Sequence, residues 1–263
     1  NMKKREIRDI KPGLRVVVTA GAAGIGGVIA KTFADRGGSV FICDINETAL
    51  AKLAKERPDI GQVRADVSDE KQVENFFESA LNALGGLDVL VNNAGIAGPT
   101  APIEEMSTND WLRTIDINLN GHFYCLRRAI PHLKKTKDGV IINLSSVAGR
   151  LGFALRAPYA ATKWGIVGLT ESLAKELGSF GIRVNCLQPG VVQGERIKRV
   201  ISARADATGE DYGSVEQSIL SNVSLKRTVL EQDIAEMALF LCTPMGANIT
   251  GQSLSICAGV ETI

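Results

Sequence analysis

A tyrosine and a lysine stand four residues apart near the middle of the chain, in the stretch PYAATKW at 158–164. In a helix, this spacing places both side chains on one face, a turn apart. The charge of Lys163 would favour the phenolate form of Tyr159, and a free phenol has a pKa of about 10. The pair is therefore a candidate acid/base centre. A surface hydrogen bond is the alternative, and the rest of the chain must decide between the two.

A glycine-rich turn follows the first apolar run of the chain. Gly21, Gly24 and Gly26 lie in VVVTAGAAGIGG, at the start of a helical pattern. Glycines allow a tight turn and a close approach of the backbone to a pyrophosphate, and a helix N-terminus attracts that anion. Turns of this kind without a ligand are also common, so the motif alone does not establish a nucleotide site.

Two carboxylates at later strand ends strengthen the nucleotide hypothesis. Asp44 ends the run FICD, where a carboxylate can bind an adenosine ribose diol and repel a 2′-phosphate. This position favours NAD over NADP, since no neighbouring base would compensate. Asp66 follows the third run, within reach of an adenine amino group. Either acid could cap a helix instead, as we expect of Asn46 or Asp69.

Apolar runs alternate with helical patterns almost throughout, and these elements must position the candidate side chains. The runs that favour strands are 14–20, 39–43, 61–65, 87–93, 139–145, 182–188 and 253–257. Such alternation predicts an α/β fold with a doubly wound parallel sheet, helices on both faces and ligands at the carboxyl ends of the strands. Residues 194–224 are long, polar and charged, and we expect them to form a mobile lid.

Composition limits the class of protein. The 263 residues suffice for one large domain, and a net charge of +1 gives no electrostatic case for a nucleic-acid or membrane partner. The charged stretch 1–13 has no apolar segment, so we expect no signal peptide and a cytoplasmic protein. The five cysteines form no C-x-x-C pair, so we expect no metal site and buried thiols at Cys43 and Cys186.

Together, these motifs resemble those of the short-chain dehydrogenase/reductase family over essentially the whole length. The family's T-G-x-x-x-G-x-G is similar to 19–26, its N-N-A-G to 92–95 and its Y-x-x-x-K to 159–163; Ser146, Asn118 and Pro189–Gly190 match further positions. The resemblance implies a single Rossmann domain over 1–263 with seven parallel strands, assembled as a homotetramer. It also implies an NAD-dependent oxidoreductase that interconverts a secondary alcohol and its carbonyl compound.

The resemblance further implies roles for individual residues. Tyr159 would be the acid/base catalyst, Lys163 would also hold the nicotinamide ribose, Ser146 would bind the substrate oxygen, and Asn118 would hold a water that links Lys163 to solvent. The structural alternatives are a strand-end cap for Ser146 and a helix-interior amide for Asn118. The cofactor contacts implied are Gly21, Gly24, Ile25, Gly26, Asp44, Ile45, Asp66, Val67, Asn93, Ala94, Gly95, Tyr159, Lys163, Pro189, Gly190 and Val192.

Two positions depart from the family pattern, and two other functions stay open. Ala20 replaces the family's first glycine, and Gly194 stands where a threonine is usual; we interpret both as tuning of cofactor affinity.

A dinucleotide-sensing regulator without catalysis is one alternative function. A lyase or epimerase on the same fold is the other, because a fold does not fix its chemistry.

The arginines give a hypothesis about the substrate. Arg150 and Arg156 lie between Ser146 and Tyr159 and could anchor an acidic or hydroxyl-rich substrate: a polyol, a hydroxy acid or a sugar derivative. Of the two, Arg156 is the preferred anchor. The charged residues at 196–199 could contact such a substrate too, but a solvated protein surface explains them at least as well. Apolar residues on more than one face of the helix after Pro158 favour packing against another subunit; they are Ile166, Val167, Leu169, Leu173 and Leu177.

Overall fold

Seven parallel strands form the centre of the structure, a computed structural model that describes residues 9–260. They are β1 (Arg15–Thr19), β2 (Ser39–Asp44), β3 (Gly61–Arg64), β4 (Val89–Asn92), β5 (Val140–Leu144), β6 (Arg183–Pro189) and β7 (Ser253–Ile256). The strand order is β3-β2-β1-β4-β5-β6-β7, which confirms the predicted doubly wound sheet. The order reverses between β1 and β4, so a crevice opens at the carboxyl ends of these two strands.

Nine α-helices connect the strands in the part of the chain that is described. They are α1 (Gly24–Asp35), α2 (Glu47–Glu56), α3 (Glu70–Leu84), α4 (Thr108–Ile115), α5 (Gly121–Thr136), α6 (Ala157–Leu177), α7 (Glu195–Thr208), α8 (Tyr212–Ser221) and α9 (Glu231–Leu241). A π-helical turn, Asp116–Asn120, joins α4 to α5. Asn46 and Asp69 accept backbone N–H groups at the starts of α2 and α3, which confirms both as helix caps.

Two apolar cores cover the two faces of the sheet. Val16 and Val18 of β1 belong to the core that contains α1 and α9, whereas Val17 belongs to the core that contains α3, α5 and α6. This division follows from the two-residue period of a strand, which sends successive side chains to opposite faces. The central strands are buried on both faces, and their carboxyl ends are therefore held rigidly.

The segment that the sequence marked as a lid is mostly helical. It contains α7 and α8, which enclose a small core of Ile201, Ala205 and Val215. A parallel bridge between Val192 and Val229 joins the two ends of the segment, with Gln193 N–H donating to the Val229 carbonyl at 2.9 Å. Its charge masked the helical spacing of its few apolar residues.

The cysteines are free thiols, and four of them are buried. Burial, the largest influence, raises the pKa of the Cys43 thiol to about 12 and raises the pKa of Cys186 as well. The prediction of buried thiols at these two positions is therefore confirmed.

No helix within 9–260 has the length and apolar character that crossing a membrane requires. The expectation of no signal peptide concerns residues 1–13, of which 1–8 lie outside the described part of the chain.

Candidate active site

The side chains expected to carry out chemistry meet at the carboxyl end of β5. Ser146 follows this strand, Tyr159 and Lys163 lie in the first two turns of α6, and Asn118 lies in the π-helical turn. The Lys163 ammonium donates to the Leu144 carbonyl at 2.7 Å. The structure thus brings together all four residues that the sequence predicted as a group.

Three cations surround the ring of Tyr159. The guanidinium carbon of Arg156 lies 4.6 Å from the ring centroid, Nζ of Lys163 lies at 5.7 Å and the guanidinium carbon of Arg196 lies at 5.9 Å. Burial raises the pKa of Tyr159, but the charges of Arg196 and Lys163, hydrogen bonding from Ser146 and the charge of Arg156 together lower it to about 8. About a tenth of the phenol is thus ionised at neutral pH, far more than of a free tyrosine.

Lys163 is a buried lysine beside Gly95. Its side chain is 3% exposed, and this burial lowers its pKa, against the opposing influence of Tyr159. A Cβ added at Gly95 would lie 3.5 Å from Nζ of Lys163 and 3.2 Å from Oδ1 of Asn118. The glycine therefore lets the backbone pass close to the ammonium, where an added Cβ atom would be crowded by Asn118.

Asn118 uses its side chain to join two segments of the site. Its Oδ1 accepts the Ile96 N–H at 2.8 Å, and its Nδ2 donates to the Ile96 carbonyl at 3.0 Å and to the Thr162 hydroxyl at 3.2 Å. These contacts fit the alternative of a structural amide, and the water-holding role stays a prediction.

The two serines after β5 fix the position of α6. Ser145 donates to the Lys163 carbonyl at 2.7 Å, which ties the strand end to the helix. Ser146 accepts the Ala148 N–H at 3.2 Å, as a strand-end cap does, and its hydrogen bonding also lowers the Tyr159 pKa. Capping therefore does not exclude a contact with substrate.

The carboxylate of Asp44 is held beside the glycine-rich turn. Its Oδ2 accepts the Ala22 N–H at 3.1 Å and its Oδ1 accepts the Asn46 N–H at 2.9 Å. Asp44 therefore does not cap α2, since Asn46 has that role. Ile45 beside it is 49% exposed and brings no positive charge. This arrangement suits the adenosine ribose of NAD.

The turn after β1 is tied to the end of β4 across the crevice. The Thr19 hydroxyl accepts the N–H groups of Asn93 and Ala94 at 2.9 and 3.0 Å, and the Asn93 amide donates to the Ala20 carbonyl at 3.1 Å. A Cβ at Gly26 would overlap this carbonyl and the Asn93 amide. Ile25 is half-buried beside Gly26. The close packing gives a backbone cradle of the kind that a pyrophosphate needs.

Both departures from the family pattern have unusual backbone conformations. Ala20 adopts a left-handed conformation with φ +49°, next to the buried Gly21. Gly194 has φ +147°, which threonine does not readily adopt. The glycine at 194 therefore follows from the path of the chain into α7.

The remaining cofactor candidates lie along the same edge of the sheet. Asp66 accepts the N–H and the hydroxyl of Ser68 at 2.9 and 2.7 Å, and Val67 is buried. Gly190, after Pro189, donates its N–H to the Ile256 carbonyl at 2.9 Å. Val192 forms the bridge at the neck of the 194–224 segment. Asp66 is half-buried beside the end of β3, so its adenine contact stays a prediction.

The two predicted substrate anchors differ in exposure. Arg150 is exposed beside the turn that follows Ser146. Arg156 is 7% exposed, stacks on Tyr159 and donates Nη2 to the Ala97 carbonyl at 2.8 Å, whereas no described group accepts its buried Nε–H. Arg156 thus supports the site itself, and substrate anchoring by either arginine stays a prediction.

Arg196 is a contributor to the site whose role the sequence left open. A solvated surface explained its charge at least as well as a contact with substrate, yet it lines a cavity of about 530 Å³ and is the first of the charges that lower the Tyr159 pKa. No local signal could have revealed it, because its position depends on how α7 packs.

Comparison with known proteins matches nearly the whole chain to one family. The family model described as enoyl-(acyl carrier protein) reductase matches residues 20–261. An uncharacterised oxidoreductase, YxjF, of Bacillus subtilis (strain 168) is 38% identical, over 92% of this chain and 96% of its own. The 3-oxoacyl-[acyl-carrier-protein] reductase FabG of Chlamydia pneumoniae is 33% identical, over 94% and 97%. The 2-dehydro-3-deoxy-L-rhamnonate dehydrogenase (NAD(+)) of Sphingomonas sp. (strain SKA58) is also 33% identical, over 95% and 96%.

Solved structures match equally well. Actinorhodin polyketide ketoreductase with NADPH superimposes with a TM-score of 0.89 at 30% identity, covering 94% of this chain and 97% of that one. NAD+-bound xylitol dehydrogenase superimposes with a TM-score of 0.90 at 29% identity, covering 94% and 99%. Enzymes that hold either nicotinamide cofactor thus share this fold.

Proposed function

Because this chain belongs to the short-chain dehydrogenase/reductase family, we propose that it is an NAD-dependent oxidoreductase that interconverts a secondary alcohol and its carbonyl compound. The observation that carries the proposal is the phenol of Tyr159, whose pKa of about 8 suits acid/base chemistry near neutral pH. Ser146 and Lys163 flank this phenol, as such a reaction requires.

In the oxidation, Tyr159 takes the hydroxyl proton of the substrate at its phenolate oxygen. The hydride leaves the same carbinol carbon, and a bound nicotinamide supplies the acceptor for it. The Ser146 hydroxyl donates to the substrate oxygen, where charge develops as the proton leaves. In the reverse direction, the Tyr159 phenol returns the proton to the carbonyl oxygen.

Lys163 and Asn118 support this proton transfer. The buried ammonium stabilises the phenolate and, next to Gly95, would hold the nicotinamide ribose. Asn118 fixes the adjacent segment through Ile96 and would hold the water through which the proton reaches solvent. The helical segment within 194–224 would act as a lid, because α7 brings Arg196 next to Tyr159.

NAD is the cofactor that the residues favour. The Asp44 carboxylate beside Ala22 would bind the ribose diol and repel a 2′-phosphate, and the exposed neighbour Ile45 offers no compensating charge. The glycine cradle would hold the pyrophosphate. The NADPH-bound ketoreductase and the FabG relative make an NADPH-dependent reductase the second candidate. Asp44 is the observation against it.

The substrate class is a polyol, a hydroxy acid or a sugar derivative. Two similar proteins support it by their names: a xylitol dehydrogenase and a dehydrogenase of a deoxyrhamnonate. Among the residues that the structure describes, the lining of the cavity beside Tyr159 includes no aromatic side chain, which disfavours a large apolar substrate.

The experiment supplies purified protein with NAD or NADP and a panel of polyols, hydroxy acids and sugar derivatives. We expect NADH to form with at least one of them, which neither a cofactor-sensing regulator nor an epimerase would give. Tyr159→Phe should lower turnover by at least about a hundredfold while NAD still binds, because the ring stays and the titrating oxygen is lost. Tyr212→Phe, in α8, is the matched control. Near-normal turnover in Tyr159→Phe would contradict the mechanism.

A further inference from the structure

A cavity of about 530 Å³ opens between residues 96–100, α4 and α7. Its volume is in the range of cavities that hold small organic ligands. Three arginines line it, Arg113, Arg196 and Arg199, against a single acidic residue, Asp110. The cavity is thus built for a small ligand in a positively charged environment.

The cavity adjoins the acid/base centre on two sides. Arg196 belongs to its lining and also lies 5.9 Å from the ring centroid of Tyr159. Ala97, another lining residue, accepts the hydrogen bond of Arg156, which stacks on the same ring. A substrate whose hydroxyl reaches Tyr159 would therefore extend into this cavity.

Within 9–260, the positive charge of the lining is only partly balanced, by Asp110 in the lining and by the charge of Glu195 acting on Arg199. None of the three arginines there forms an ion pair, and Asp110 accepts the Ser107 hydroxyl at 2.7 Å. Glu195, at the start of α7, pairs with Lys198 at 2.7 Å. Three guanidinium groups beside an apolar wall of Ile96 and Val200 would gain an acidic partner from the ligand.

We propose that this cavity binds a carboxylate of the substrate, with Arg196 and Arg199 of α7 as its ligands and Arg113 of α4 also in its lining. The substrate is thus a hydroxy acid, oxidised to the corresponding oxo acid. The planar fork of arginine binds both oxygens of a carboxylate, which makes these residues determinants of specificity. The inference rests on the proposed function, since it takes Tyr159 as the point where the hydroxyl binds.

The experiment compares each of several hydroxy acids with its own methyl ester: lactate, malate, gluconate and mandelate. The wild type is measured beside Arg196→Gln, Arg199→Gln and the control Arg204→Gln, which removes the same charge from α7 outside the cavity. We expect KM for the best acid to rise roughly tenfold to a hundredfold in the first two variants, the range for a charged hydrogen bond. In Arg199→Gln, KM for the ester should change by less than about twofold, and Arg204→Gln should resemble the wild type.

A binding experiment separates this inference from the proposed function. Calorimetry measures the Kd of the same acids for the NAD-loaded wild type and for the Arg196→Gln/Arg199→Gln double variant. If acids and esters are oxidised equally well, and no variant changes KM for the acid more than KM for the ester, the carboxylate site is overturned. The proposed oxidoreductase activity would still stand. If no compound reduces NAD, the proposed function fails. The site then stands if an acid binds at least about tenfold more weakly to the double variant, and falls if no acid binds the wild type.

Discussion

The acidity of Tyr159 depends on residues from three parts of the chain. Lys163 lies one turn further along α6, Arg156 immediately precedes the helix, and Arg196 comes from α7. Burial alone would raise the pKa of the phenol, so the value of about 8 requires these cations. The acid/base chemistry is therefore coupled to the position of a helix far away in sequence.

The pH dependence of catalysis tests this coupling. Oxidation needs the phenolate, so kcat/KM should rise with pH and level off above an apparent pKa of about 8, whereas reduction should fall over the same range. Arg196→Gln removes a cation and should move both transitions to higher pH. Arg204→Gln, further along α7, should leave them unchanged. If the pH profiles do not shift in Arg196→Gln, α7 does not influence the pKa of Tyr159.

Asp44 should decide the choice of cofactor. We expect kcat/KM with NAD to exceed that with NADP by at least roughly tenfold, and Asp44→Ala to narrow this ratio, because the carboxylate both binds the ribose diol and repels the phosphate. Asp66→Ala is the control: a residue at the adenine should affect both cofactors alike. Equal use of NAD and NADP by the wild type would remove this role from Asp44.

At the scale of elements, the sequence predicted those features that depend on strand ends. All seven strands were expected, and the residues at or just after their carboxyl ends, Asp44 and Ser146 among them, are positioned by the sheet itself. Arg196 and the burial of Arg156 could not be predicted. Both depend on tertiary packing, Arg196 through the path of α7 and Arg156 through stacking on Tyr159.

The turn between β1 and α1 offers a test of backbone strain. Ala20 has φ +49°, a conformation that costs an L-residue about 1–2 kcal/mol and a glycine little. Part of this gain is offset by the greater freedom of glycine in the unfolded chain, so we expect Ala20→Gly to raise the free energy of unfolding by about 0.5 kcal/mol.

The control for this substitution is Ala22→Gly, in the same turn but outside the left-handed residues. It should lower the free energy of unfolding by roughly 0.5–1 kcal/mol, measured by urea denaturation. Equal destabilisation by both substitutions would show that the backbone at Ala20 carries no strain.

At the scale of the whole molecule, exposed apolar side chains are candidates for a contact between subunits. Of the residues on α6 that the sequence assigned to packing with another subunit, Ile166, Leu173 and Leu177 are buried within the chain itself. Trp164 on α6 is 51% exposed, and Phe123 on α5 is 50% exposed. These two side chains, each on a helix that packs on the same face of the sheet, are better candidates for an interface.

We predict that the protein assembles through this surface, as a tetramer of 28.0 kDa chains. Light scattering at micromolar concentration should give four times the mass of one chain. Trp164→Glu should lower this mass, because it places a charge in the apolar contact. Leu230→Glu, 50% exposed at the start of α9, should not. A monomeric wild type would refute the prediction.

The bridge between Val192 and Val229 has a consequence for how this enzyme can evolve. The two ends of the intervening segment meet at that bridge, so the sheet does not constrain the length of chain between them. Doubling the length of such a closed loop costs only about 0.6 kcal/mol in entropy. Insertions or deletions that leave Arg196 beside Tyr159 are therefore tolerable between 193 and 228. A lineage could acquire a new substrate there while Ser146, Tyr159 and Lys163 are inherited unchanged.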